Sequence, residues 1–245
     1  MAYKGTPFCG WQLQPNGTTV QEELERALGL LLRDSVRLTG AGRTDAGVHA
    51  LHYVAHFDSE KNDLHTDTSF ISKVNGMIHH EIAVYRIVAV PPDAHARFDA
   101  VSRTYHYKIA TKKNPFTIDW AFHFYRPLDM EKMNEAASIL LEYKDFTSFS
   151  KVHTETKTNL CDIIHAQWYN DCDGELRFEI TADRFLRNMV RAIVGTMIDI
   201  GVEKYPPEDI RKIILEKDRA VAGCSAPPQG LYLVKIEYPE KIFEG

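Results

Sequence analysis

Gly40-Ala41-Gly42-Arg43-Thr44-Asp45-Ala46-Gly47-Val48-His49-Ala50 is the stretch around which the chain is organised. Residues 35–38 before it read as a short strand. Residues 48–57, rich in β-branched, aromatic and aliphatic side chains, read as another. A connection of small residues presents its few long side chains outward, and here those are Arg43 and Asp45. At i and i+2 they share a side of a locally extended backbone. An arginine beside an aspartate favours the ionised carboxylate. The loop therefore reads as a holder for an oriented, charged carboxylate, although an Arg–Asp pair also serves simply to tie a loop. Its glycines make no familiar phosphate cradle: there is no G-x-x-x-x-G-K-[ST], and no G-x-G-x-x-G opens a helix.

With 245 residues the chain can form one large domain or two small ones, and 44% hydrophobic content supports a packed core. No apolar run approaches the roughly 20 residues that span a bilayer. The first residues contain no apolar run of the secretory kind, so a cytoplasmic protein without membrane partners is expected. Cys9, Cys161, Cys172 and Cys224 are scattered and form no C-x-x-C, which favours reduced thiols over zinc or disulfides. His79-His80 is an adjacent pair rather than an i, i+4 metal pair, and no metal site is expected. The net charge of −5 counts against indiscriminate nucleic-acid binding but leaves room for a local basic surface.

Thr19 and Glu22 have capping-box spacing, and Val20, Leu24, Ala27, Leu28 and Leu31 then recur at helical intervals to about Arg33. Phe70, Ile71, Val74, Met77 and Ile78 mark a second helix, and residues 83–90 a strand that Pro91-Pro92 stops. This divides the chain into an N-terminal half, 1–92, and a C-terminal half, 93–245. The pattern fits an α+β fold with helices on one face of an antiparallel sheet. Residues 102–109 alternate as a strand with Arg103, Tyr105 and Tyr107 on one face. From His95, Arg97 and Phe98 through to Lys112-Lys113, basic and aromatic residues interleave. Such a mixture can hold phosphates and stack bases, and core aromatics would look the same.

Asp129 can cap a helix bearing Met133, Ala136, Ala137, Leu140 and Leu141, and Phe146 and Phe149 read as core. Residues 152–159 read as a loop in which Lys157 is either a phosphate contact or a solvated lysine. Residues 163–169 and 175–182 read as a strand pair. Residues 183–191 are expected to open a helix with an apolar stripe of Phe185, Met189, Ile193 and Met197. Arg184, Arg187 and Arg191 would then share its opposite side, as a backbone-gripping or a merely solvated face. Ile210, Ile213 and Ile214 mark one more helix, and residues 226–233 lead into a closing strand.

Gly42-Arg43-Thr44-Asp45-Ala46-Gly47-Val48-His49 resembles the signature of the tRNA pseudouridine synthase A family, whose aspartate is catalytic. The resemblance runs from about Tyr3 to Pro239. Tyr3-Lys4-Gly5-Thr6 and Gly10-Trp11-Gln12 are similar to the family's Tyr-Asp-Gly-Thr and Gly-Trp-Gln, with Lys4 where an aspartate is common. His95-Ala96-Arg97-Phe98 resembles its RNA-contacting segment, and Arg103-Thr104-Tyr105-His106-Tyr107 its active-site tyrosine motif, with Tyr105 the matching residue. Phe185-Leu186-Arg187-Asn188-Met189-Val190-Arg191 resembles a helix whose last arginine, here Arg191, reaches the active site. Ala226-Pro227 with Gly230-Leu231 is similar to an end segment that lines the site, which places Leu231 there.

The resemblance implies a pseudouridine synthase fold, a central antiparallel sheet of two ferredoxin-like halves with flanking helices and a cleft between them. It implies isomerisation of uridine to pseudouridine in the anticodon stem-loop of tRNA, around positions 38 to 40, by a homodimer without a cofactor. Asp45 would be the nucleophile. Arg43 would keep it ionised, Tyr105 would stack on the uracil, and Arg191 would pair with Asp45 or orient the base. His95, Arg97, Phe98, Lys157, Arg184 and Arg187 would contact RNA. Two other readings compete. An RNA stem-loop binding protein without chemistry explains the arginines and aromatics but not an aspartate in the glycine loop. A glycosidase needs two carboxyl groups about 5–10 Å apart, and only Asp99 offers itself, poorly, as a partner for Asp45.

Overall fold

The computed structural model describes residues 1–61, 63–151, 158–171 and 174–243. The chain divides into two compact units, residues 1–101 with 233–245, and residues 102–232. Both mix α-helices with mostly antiparallel strands, so the α+β class read from the sequence holds.

The first unit contains β1 (Ala2–Tyr3), α1 (Val20–Leu32), β2 (Thr39–Gly40), β3 (His49–Ala50), β4 (Ala55–His56), α2 (Thr68–Met77) and β5 (Ile82–Ala83). β1 lies between β5 and β3, antiparallel to both, with Tyr3 opposite Ile82 and Ala50. β2 and β4 form a separate two-stranded antiparallel sheet. α1 is what the spacing predicts. The Thr19 side chain accepts from Glu22 N–H, Glu22 reaches back to the Thr19 N–H, and Arg33 ends the helix in the left-handed region at φ 57°. Val20, Leu24, Ala27 and Leu28 are buried. Arg26 donates to the Met77 carbonyl at 2.7 Å and His79 N–H to Glu23, which ties α1 to the end of α2.

The strands of this unit depart from the sequence reading. Residues 35–38 are not a strand; pairing begins at Thr39. Residues 48–57 are not one strand but two, β3 and β4, which pair with different partners. The break is at Leu51 and His52, whose N–H groups both reach the Leu233 carbonyl. Two donors on one acceptor displace the register, and past the break the chain runs beside β2 instead. Residues 84–90, expected in a strand, follow β5 without joining a strand among the described residues, and the Asn75 side chain of α2 takes both main-chain groups of Val84.

The second unit holds β6 (Ser102–Ala110), β7 (Phe122–His123), α3 (Met130–Leu140), β8 (Ile163–Asn170), β9 (Glu175–Ala182), α4 (Met189–Gly201) and α5 (Asp209–Glu216). β10 (Leu231–Glu237) starts here and runs into the first unit. β9 is central, antiparallel to β6 and β8, and β7 pairs with β6 in parallel. Along β9, Leu176, Phe178, Ile180 and Ala182 are buried while Glu175, Arg177, Glu179 and Thr181 are half-buried, the period-two signature of one covered face. α3 and α4 supply the cover. Asn134 on α3 brackets the Trp168 main chain with two hydrogen bonds, and Trp168 Nε1 donates to Met197 Sδ on α4. Phe146 and Phe149 are fully buried, as expected.

Two measurements follow from this packing. Thr19→Ala removes the oxygen that caps α1 and is expected to cost about 1 kcal/mol, read from the urea midpoint. Burial holds the imidazoles of His52 and His106 below the ordinary 6.5, and at His106 it outweighs the upward pull of Glu179. Burial and then His95 do the same for His56, against Asp58 and Asp99. The unfolded chain binds these protons first. Stability is therefore full above 6.5 and falls as pH drops from there through the lowered folded values. A urea series at about pH 7.5 and 5.5 should show the loss, and His52→Gln should shrink it.

Candidate active site

In the first unit, residues 41–48 are held from beneath by three buried rings, Tyr3, Trp11 and Tyr53. Trp11 and Tyr53 lie 4.2 Å apart and Tyr3 and Tyr53 5.4 Å apart, centroid to centroid. Each ring residue also bonds the loop. Tyr53 Oη donates to the Gly42 carbonyl at 2.5 Å, Tyr3 Oη and Thr44 Oγ1 share a buried hydrogen bond of 2.9 Å, and Trp11 N–H donates to the Thr44 carbonyl. Ala41 N–H donates to Val54 O and Val48 N–H to Asp45 O, with Gly47 at φ 79° completing that turn. Thr44 is thus drawn inward. Its neighbours are more open: Arg43 is exposed and Asp45 half-buried.

His95, Arg97 and Phe98 sit in a tight turn of the same unit. Asp99 Oδ2 accepts from His95 N–H at 2.6 Å, and His95 Nδ1 accepts from Arg97 and Phe98 N–H. The His95 ring lies 4.2 Å from the Phe98 ring and 5.0 Å from that of His56. The Arg97 guanidinium sits 5.7 Å over Phe98, whose ring is 74% exposed. The turn therefore presents a cation and an aromatic face together. Asp99 is occupied in building it, which removes the support for a glycosidase pair.

In the second unit, Tyr105 stands on β6 opposite Ile180, half-buried, with Phe185 edge-on at 5.2 Å and 86°. Arg191 lies in the first turn of α4, half-buried, and its Nε donates to the Ala226 carbonyl at 2.7 Å while Ala226 N–H returns a bond to Arg191 O. Asn188 Nδ2 and Arg219 Nη2 both donate to Ser225 Oγ, so the segment ahead of β10 is fastened to the start of α4. Tyr107 is fully buried and donates to Pro227 O. Leu231 is buried at the start of β10.

The arginine face read from the sequence does not form. α4 begins at Met189, and Asn188 before it is in the left-handed region at φ 67°, so residues 183–188 are not helical. The chain leaving β9 is diverted there: Asp183 N–H donates to Asp162 O, Asp183 Oδ1 accepts from Asp162 and Arg184 N–H, and Lys151 N–H donates to Arg187 O. Of the three arginines only Arg191 lies on the helix; Arg184 is half-buried and Arg187 exposed in the connection. Leu186 takes the buried place expected of Phe185, which is freed to pack on Tyr105. Lys157 falls outside the described residues. Sequence reasoning gave no role to Tyr53 or Thr44; the alternation of Thr44 between Arg43 and Asp45 is the signal that would have found the inward anchor.

The family described as tRNA pseudouridine synthase matches residues 136–239. A Bacteroides fragilis protein named tRNA pseudouridine synthase A is 52% identical over 244 residues, covering 100% of this chain and 96% of its own. A Bacteroides thetaiotaomicron protein of that name is 54% identical over 246 residues, 99% of this chain and 90% of its own. One from Listeria monocytogenes is 39% identical over 242 residues, 97% of both.

Two glycines give opposite expectations. Gly10 is at φ 87°, and a Cβ there would collide with the Thr44 carbonyl; around Gly42 a Cβ would meet nothing within 4 Å. Gly10→Ala is expected to cost more than about 1 kcal/mol in the urea midpoint, and Gly42→Ala to stay within about 1 kcal/mol of the parent.

Proposed function

The chain belongs to the tRNA pseudouridine synthase A family, and on that footing we propose that it isomerises uridine to pseudouridine in tRNA with Asp45 as the nucleophile. The N1–C1′ bond of the nucleotide breaks, the uracil turns, and C5 bonds to C1′. The proton lost from C5 is balanced by the one gained at N1. The carboxylate of Asp45 serves this by adding to C1′, by adding to C6, or by a glycal route.

The observation that carries the reading is the loop itself. Thr44 is buried and held by Tyr3 and Trp11, while Asp45 beside it is half-buried and Arg43 exposed, which supports a carboxylate offered at the loop. Arg43 is assigned to fill the space a displaced base leaves. Tyr105 is assigned the ring that stacks on the uracil, and Arg191 the guanidinium that orients the base. Taking a base out of its stack costs a few kcal/mol, and stacking it on a ring contributes about 1–3 kcal/mol, so one tyrosine offsets much of that cost. Arg97 and Phe98, with Arg184, Arg187 and Lys157, are assigned to the RNA, and Leu231 to the apolar lining. The exposed Phe98 ring supports the first of these.

The same reading takes the anticodon stem-loop, around positions 38 to 40, as the target, a homodimer as the working form and the cytoplasm as the place. No helix among the described residues is long and apolar enough to cross a membrane. A purely RNA-binding role is less well supported, because a carboxylate at this point of the loop repels phosphate.

Release of tritium from C5-tritiated tRNA tests the chemistry. Asp45→Asn is expected to abolish release while RNA affinity, read by filter binding, stays within about threefold. Unchanged release in the variant would remove Asp45 from the nucleophile's role.

A further inference from the structure

The loop at residues 41–48 is pinned at some points and not at others. Ala41 N–H donates to Val54 O, Tyr53 Oη to Gly42 O, Trp11 N–H to Thr44 O, and Val48 N–H to Asp45 O. Thr44 Oγ1 adds its buried bond with Tyr3 Oη. Among the described residues, Arg43 makes no hydrogen bond and no ion pair, through main chain or side chain. Its placement is therefore set by its neighbours, Gly42 on one side and Thr44 on the other. Asp45 has Thr44 before it and its own carbonyl held by Val48. The phenol of Tyr53 thus acts on the side of Arg43, not on that of Asp45.

A bond to the Gly42 carbonyl fixes the plane of the Gly42–Arg43 peptide, because the carbonyl and the following N–H are coplanar. Gly42 needs such a hold. Glycine is conformationally permissive, and a Cβ at Gly42 would meet nothing within 4 Å, so packing does not confine this residue. Tyr53 is well built to confine it. The side chain is 1% exposed, and its ring is wedged against those of Trp11 and Tyr3. Its Oη passes close by Gly40, where a Cβ would stand 2.2 Å away. A phenylalanine ring would fill the same space; the hydroxyl serves the carbonyl.

We propose that Tyr53 is a positioning residue for Arg43, and through it a determinant of how readily a paired uridine is taken from its stack. The inference rests on the function proposed above, in which Arg43 fills the space of the displaced base and Asp45 reacts. Extruding a base is costly when it is paired and least costly when it is mismatched. An arginine aimed at the vacated space matters in the same proportion. Loss of the hydroxyl therefore slows turnover of a paired uridine and hardly changes that of a mismatched one.

The test compares Tyr53→Phe, which keeps the ring, with the parent chain in steady-state tritium release from two C5-tritiated tRNAs. The target uridine is paired in one and opposite a mismatch in the other. On the paired target, kcat is expected to fall about tenfold with KM within about twofold of the parent. On the mismatched target both constants stay within about twofold. Rates are taken per folded molecule, from urea curves of both proteins. Equal loss on the two tRNAs would place the effect of the hydroxyl at Asp45 or in the fold at large and overturn the proposal. Unchanged turnover of the paired target, with or without a lower urea midpoint, would overturn it too. Asp45→Asn is run beside them: no release by that variant keeps the underlying function standing whatever Tyr53→Phe does, and release equal to the parent's would overturn that function and this inference together.

Discussion

The packing of Tyr3, Trp11 and Tyr53 against one another is the constraint on which the first unit's candidate site depends. The three rings bury large areas and, through one hydroxyl to Gly42, one to Thr44 and one main-chain N–H to Thr44, convert that burial into the position of a loop. Close packing leaves no room for a side chain at Gly40, where a Cβ would strike Tyr53 and Trp11. An exposed loop is thereby given the rigidity of a core element, which is what an oriented carboxylate needs.

The second unit reaches a similar end by different means. Main chain meets main chain at Gly195 and Gly223, with no space for a Cβ between α4 and residues 223–224. Gly223 N–H donates to Thr196 Oγ1, and Arg219 and Asn188 close on Ser225. This seam delivers Ala226 to Arg191, so the arginine's direction is set by a hydrogen bond to a fixed carbonyl rather than by its own rotamer preference.

Charge is distributed accordingly. The chain is acidic as a whole, but its arginines are not interchangeable solvated groups. On the uncovered face of β6, β9 and β8, Arg177 bonds Asp171 and Glu179, and Glu179 also holds His106. In that network the arginine's charge is taken up by two carboxylates. Arg43, Arg97 and Arg187 are exposed instead, and Arg97 is coupled to an exposed ring. Local presentation, not net charge, is what suits the chain to a polyanion.

The sequence by itself determined what is written in neighbouring residues. α1 to within a residue, the Asp129 cap of α3, the β8–β9 pair and the buried phenylalanines all follow from periodicity, capping and alternation. Only the tertiary structure decided where the first unit's strands stop, because a strand ends when its partner does. Residues 84–90 have good strand composition but pair with no strand among the described residues. It also decided where α4 starts, since a pattern compatible with helix from Asp183 yields to the bonds that divert the chain at Asp162 and Lys151 and set Asn188 left-handed. Helical periodicity is a property of a few consecutive residues, while ladders and diversions are contacts between residues far apart in the chain, and no local pattern records them.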